Sequence, residues 1–172
     1  MVREVVVVGH GPSALSGLGA IVDSLTVVRC KGEPGPDLAA HMGSRTDYMV
    51  LRRERAYAGP GVRWELPHIP PEWADYWAAC KPRANVLKVS HGLGAALLTV
   101  SKLAPERIYL YGCDRLLGNL ETGKYFDTKP DAWKETLTCH DWPAEQRAIQ
   151  GLGIPVIDLR DKCQISMSTI RT

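Results

Sequence analysis

The 172 residues suffice for one domain with a sizeable core, and 45% hydrophobic against 23% charged content is ordinary for a soluble globular chain. A net charge of +2, with both signs interspersed, does not mark a dedicated nucleic-acid binder. No apolar run reaches the length of a membrane span, and five scattered cysteines without a CxxC pair fit neither a disulfide framework nor a zinc site, so a cytoplasmic protein is expected.

The first element predicted is a buried strand over Val5–Val8, a β-branched run ended by Gly9. A short helix is expected from Ser13 to about Asp23, then strands over Leu25–Cys30 and Asp47–Leu51. Residues 52–84 are rich in proline and tryptophan and read as an irregular insertion with one short helix. Asn85–Val89 then reads as a strand, Gly92–Leu103 as a helix and Arg107–Tyr111 as a strand. After a long loop, Pro143–Leu152 suits a helix and Pro155–Leu159 a last strand. This alternation predicts a single α/β domain over residues 1–172, a Rossmann-like, mostly parallel sheet with helices on both faces. Ligands of such sheets sit at the carboxyl ends of the strands, here Gly9–Ser13, Cys30–Lys31, Ser90–Gly92 and Gly112–Asp114.

The first of these turns is glycine-rich but is not a dinucleotide fingerprint. Ala14 stands where a third glycine is needed, and the second strand ends in Arg29, Cys30 and Lys31 rather than an acid. Gly118–Lys124 matches GxxxxGK, yet Tyr125 replaces the Ser or Thr that ligates magnesium, so it reads as a turn. What survives is a strand–turn–helix in which Gly9 and Gly11 permit close approach, Pro12 suits a helix start and Ser13 offers a hydroxyl. An anion site and a plain turn are both open for this segment. Ser90, His91 and Gly92 repeat the arrangement at the next helix start, with the same two readings.

Taken in order, these segments resemble the sialyltransferase family, glycosyltransferase family 29. VVVVGHGPSALSGLGAIVDSLTVVRCK followed by Met42–Thr46 is similar to the large sialylmotif, and Val89–Asp114 to the small one. Lys124–Asp127 stands for the third motif, and His140 followed by Glu145 for the last. The sequence departs from the family pattern at His10, Lys31, His91 and Lys124, and it holds no evident pair for the disulfide usual between the two larger motifs.

The resemblance implies a GT-A-like variant of the fold and inverting transfer from a CMP-sugar, with no metal or other cofactor beyond that nucleotide-sugar donor. The partners implied are the donor and a glycan or other hydroxyl-bearing acceptor; the sequence itself points to no membrane, and nucleic acid is not indicated but stays open as an acceptor. His140 becomes the base, a role its ordinary pKa suits. Glu145 either orients that base or favours the positive end of a helix. Lys124 and Tyr125 are candidates for steadying the leaving phosphate, with Asp127 beside them, and a solvated loop lysine is the plainer reading of Lys124. Gly9, His10, Gly11, Pro12, Ser13, Arg29, Lys31, Ser90, His91, Gly92, Gly112 and Asp114 make up the expected donor site. Arg45 supports it or pairs with a nearby acid, and Trp64, Trp73 and Trp77 either cover the acceptor side or pack under their loop. Two rivals stay open. The GHGPS turn also resembles that of pterin-pyrophosphokinase-like proteins, which implies ATP and magnesium, and a non-catalytic nucleotide-binding module would explain the altered positions.

Overall fold

The computed structural model describes residues 2–118 and 140–162. Six strands form one sheet: β1 (Glu4–Val8), β2 (Thr26–Cys30), β3 (Tyr48–Leu51), β4 (Val62–Glu65), β5 (Arg107–Tyr111) and β6 (Val156–Asp158). Their order is β4-β3-β2-β1-β5-β6, and all five pairings are parallel. The chain therefore builds outward from β1 to one edge, then returns to place β5 on the other side. Five helices accompany the sheet: α1 (Gly19–Asp23), α2 (Ala39–Met42), α3 (Ala74–Ala79), α4 (His91–Leu103) and α5 (Trp142–Gln150).

Strand alternation divides the core in two. Val5, Val7, Val28 and Leu110 face one side, against Leu93, Ala96 and Leu97 of α4 and Ala144 and Ala148 of α5. Val6, Val8, Val27 and Tyr111 face the other, against Val22 of α1 and Met42 of α2. With helices on both faces, β1 has no solvated side, which is why its sequence is a continuous valine run. The α/β, Rossmann-like arrangement expected from the sequence is the one found. Among the described residues, no helix is long and apolar enough to cross a membrane.

Three expectations about elements need correction. The helix foreseen from Ser13 to Asp23 is broken: a 3-10 turn covers Pro12–Leu15, Gly17 takes φ +77°, and only Gly19–Asp23 is α-helical. Asn85–Val89 is not a strand: the place beside β1 belongs to β5, and the segment joins neither edge strand, β4 or β6. Its carboxyl end is tied instead to the insertion, Val89 N donating to His68 O and Val89 O accepting from Arg52. The insertion in turn contributes β4, an edge strand of which only Trp64 is buried.

Candidate functional site

The strand order reverses between β1 and β5, and a pocket opens outside their carboxyl ends. Ligands of parallel sheets bind at this crevice because the loops on either side diverge there. His10 and Pro12 line it from the turn after β1, Lys31 from the end of β2, and His91 and Gly92 from the start of α4. Asp114 and Arg115 contribute from the turn after β5, and His140 and Trp142 from the start of α5. Most of the expected donor residues thus meet in one place.

The glycine turn does a different job from the one expected. Gly9 N donates to Tyr111 O and Gly11 N to Gly112 O, both at 2.7 Å. Ser13 offers its backbone N and its hydroxyl to Asp114 Oδ2 at 3.3 and 3.1 Å. The carboxylate of Asp114 therefore occupies the position at the 3-10 turn that an anionic ligand would take. The donors assigned to phosphate are spent joining β1 to β5. Glycine is required for that closeness: a Cβ on Gly11 would lie 2.1 Å from Asp114 Oδ2, and one on Gly9 2.5 Å from Gly112 O. Gly112 itself sits at φ +67°, in the left-handed region.

Open backbone donors lie instead at α4. Ser90 caps this 13-residue helix, its Oγ accepting from Leu93 N at 3.1 Å. The first N–H groups of an α-helix have no intrahelical partner, and here they begin at His91 and Gly92 on the pocket wall. Burial, reinforced by Arg52, Lys31, Arg55 and His140, pushes the His91 imidazole down to about 3. His91 is therefore neutral at physiological pH, and its buried Nε2 has no hydrogen-bond partner.

The second centre is His140. Its Nδ1 lies 3.3 Å from Oε1 of Glu145, which is wholly buried and also accepts from Ser90 N at 2.9 Å. Glu145 thereby ties the start of α4 to the residue preceding α5. The contact falls short of hydrogen-bond geometry, and the pair sets a buried carboxylate beside an imidazole that lines the pocket. The backbone is clamped from outside: Arg83 Nη2 donates to His140 O at 2.7 Å and Arg83 N to Asp141 Oδ2 at 2.8 Å. Asp141 also caps α5, its Oδ1 accepting from Ala144 N at 3.2 Å.

Comparison with family models, with curated proteins and with solved structures returns no match.

Several expected site residues serve the scaffold. Arg29 is buried, and its guanidinium donates to Met42 O, Gly43 O, Arg45 O and Thr46 Oγ1, holding the 42–46 turn rather than facing the pocket. Arg45 pairs with Asp47 at 2.9 Å, the alternative open in the sequence. Of the tryptophans, Trp64 stacks on Tyr48 and Trp77 is in the core, while Trp73 packs edge-on to Tyr76 and donates to Ser101, so all three pack locally. Lys124, Tyr125 and Asp127 lie outside the described residues.

Sequence reasoning missed Arg115, Leu116 and Trp142 on the pocket wall, whereas Cys30 and Cys113 fall within the strand ends it named. Arg115 stands 5.1 Å from the centre of the Trp142 ring, and the His140 ring lies tilted against the same ring at 5.1 Å between centroids. Trp142 immediately follows Asp141, so its place beside His140 was the one signal available. Burial raises Cys30 to about 12 and Cys113 well above the usual thiol range, so neither thiol serves as a thiolate nucleophile. Among the described residues, no group of three His, Cys, Asp or Glu side chains converges as a metal site does.

Proposed function

We propose that the chain is an inverting glycosyltransferase that takes a nucleotide-activated sugar, a CMP-sugar in the first instance, with His140 as its base. The observation that carries this reading is the buried His140–Glu145 pair, opening on a pocket that also holds His10, Lys31 and His91. The ordered resemblance of the motifs around these residues points the same way.

In this reading the acceptor hydroxyl meets Nε2 of His140. As its proton passes to that nitrogen, the oxygen bonds to the anomeric carbon from the face opposite the nucleotide. The bond from that carbon to the phosphate oxygen breaks, and the phosphate leaves with the electron pair. Glu145 steadies the imidazolium that forms. Lys31 and the start of α4 supply positive potential to the departing phosphate, so the step has side-chain charge to draw on without a metal ion. His91, held neutral, contributes a hydrogen bond rather than a charge.

Melting curves with CMP, CDP, UDP, GDP and ATP, each with and without magnesium, test the reading. CMP at a hundredfold excess over its Kd raises stability by about 2.7 kcal/mol, a shift of roughly 5–10 °C for a chain of this size, with or without magnesium. Stabilisation confined to magnesium–ATP would replace the glycosyltransferase reading with phosphoryl transfer.

A further inference from the structure

A belt of cations borders the pocket. Arg52 donates to Pro67 O and Val89 O, which brings residues 52–55 alongside 88–91. Arg55 reaches Lys31 O at 3.4 Å, joining the same segment to the end of β2. Arg83 closes the belt at His140 and Asp141. Arg55, Arg53, Lys88 and Arg83 stand on or beside these segments and are exposed, while Lys31 lines the pocket itself.

Arg83 has Asp141 at 3.5 Å, but no acid among the described residues pairs with Arg53, Arg55 or Lys88. Glu33 is engaged by Arg29, Thr46 and Tyr57, which leaves Glu54 as the exposed acid within the belt. The positive potential reaches the pocket interior, since Arg52, Lys31 and Arg55 all help keep His91 neutral.

We infer that this rim seats the acceptor, and that the acceptor is an acidic glycan, a saccharide chain bearing carboxylate groups. The inference rests on the glycosyltransferase reading, which calls for a hydroxyl-bearing acceptor beside His140. A single-stranded nucleic acid fits less well, because it needs ring faces to stack on. The insertion's rings are committed elsewhere: Trp64 to Tyr48, Trp73 to Tyr76, and the Tyr57 hydroxyl to Glu33.

Fluorescence polarisation with a labelled uronic-acid hexasaccharide, a neutral hexasaccharide and an oligo-dT dodecamer tests this on the whole chain. The acidic saccharide binds, the neutral one does not, and binding weakens as salt rises. The variant Arg53→Glu/Arg55→Glu/Lys88→Glu binds it about tenfold more weakly, from three exposed ion pairs lost, and Arg53→Glu alone about twofold. Arg53 is exposed and outside the pocket, so in Arg53→Glu the CMP melting shift stays at the wild-type value. Equal binding of the neutral saccharide, an unchanged affinity in the triple variant, or no binding of any probe overturns the inference. Tighter binding of the dodecamer overturns it in favour of nucleic acid. Acidic-saccharide binding without any CMP shift upholds the rim and removes the donor reading alone.

Discussion

Replacing Glu145 by glutamine removes a charge and almost no volume, which separates what this side chain does for catalysis from what it does for the fold. Glu145 is fully buried, with Oε1 accepting from Ser90 N at 2.9 Å and standing 3.3 Å from His140 Nδ1. Oε2 has no hydrogen-bond partner. In Glu145→Gln the amide oxygen keeps the Ser90 bond, and the amide nitrogen takes the unpartnered position. That bond loses its charge assistance, about 1 kcal/mol, while the cost of burying a carboxylate is relieved by a similar amount. Stability therefore changes by about 1 kcal/mol or less, a few degrees in Tm. The imidazolium, however, loses its counter-charge, although the amide oxygen still faces Nδ1. Loss of such an electrostatic stabiliser lowers kcat by about 10²–10³. The assay is CMP release from a CMP-sugar, with CMP affinity measured by calorimetry and Tm by circular dichroism. A kcat within about threefold of wild type would refute the reasoning and leave Glu145 as a tie between α4 and α5. Glu145→Ala cannot make the distinction, since it also strands Ser90 N and opens a cavity.

Stability carries a pH signature from His91. Its folded pKa of about 3 lies below the ordinary value of 6.5, so between them the unfolded chain binds the extra proton. Stability is full above about pH 6.5 and falls toward pH 3 with a slope of up to about 1.4 kcal/mol per unit, which His91→Gln flattens in urea titrations at several pH values. Gly11→Ala places a Cβ 2.1 Å from Asp114 Oδ2 and 2.8 Å from Gly112 O, and costs about 2–4 kcal/mol by thermal melting. A Tm within a degree of wild type would contradict the clamp between β1 and β5. Arg83→Ala frees the His140 carbonyl and Asp141 Oδ2 from outside support, and turnover falls about tenfold with CMP affinity unchanged. Turnover and CMP binding that decline together would instead indicate general loosening.

Local signals read well where one physical cause dominates. A valine run with no solvated face announced β1, and the apolar stretch Gly92–Leu103 announced α4 to within a residue of its start. The approach of His140 to the pocket could be anticipated from the motif order, and its pairing with Glu145 from their spacing. Tertiary partners escaped notice. Nothing in VVVVGHGPS says that Asp114, a hundred residues away, fills the anion position beside Ser13. NVLKV has strand composition, but strand composition does not create a free sheet edge. VRWE buries only Trp64 and carries no periodic signal, yet β3 had an open edge and took it. Arg29 looked like a ligand because arginine binds phosphate, whereas its Nε and Nη2 are taken by four acceptors in the 42–46 turn.

Conversion of His140 to alanine tests the central claim most directly, with CMP affinity and CMP release from a CMP-sugar measured on the same preparation. The pocket keeps its β1, β2 and α4 walls in this variant, so CMP binds within about threefold of wild type. Release falls by at least about 10², the usual yield of a positioned general base. Release at the wild-type rate, with CMP still bound, would contradict His140 as the base.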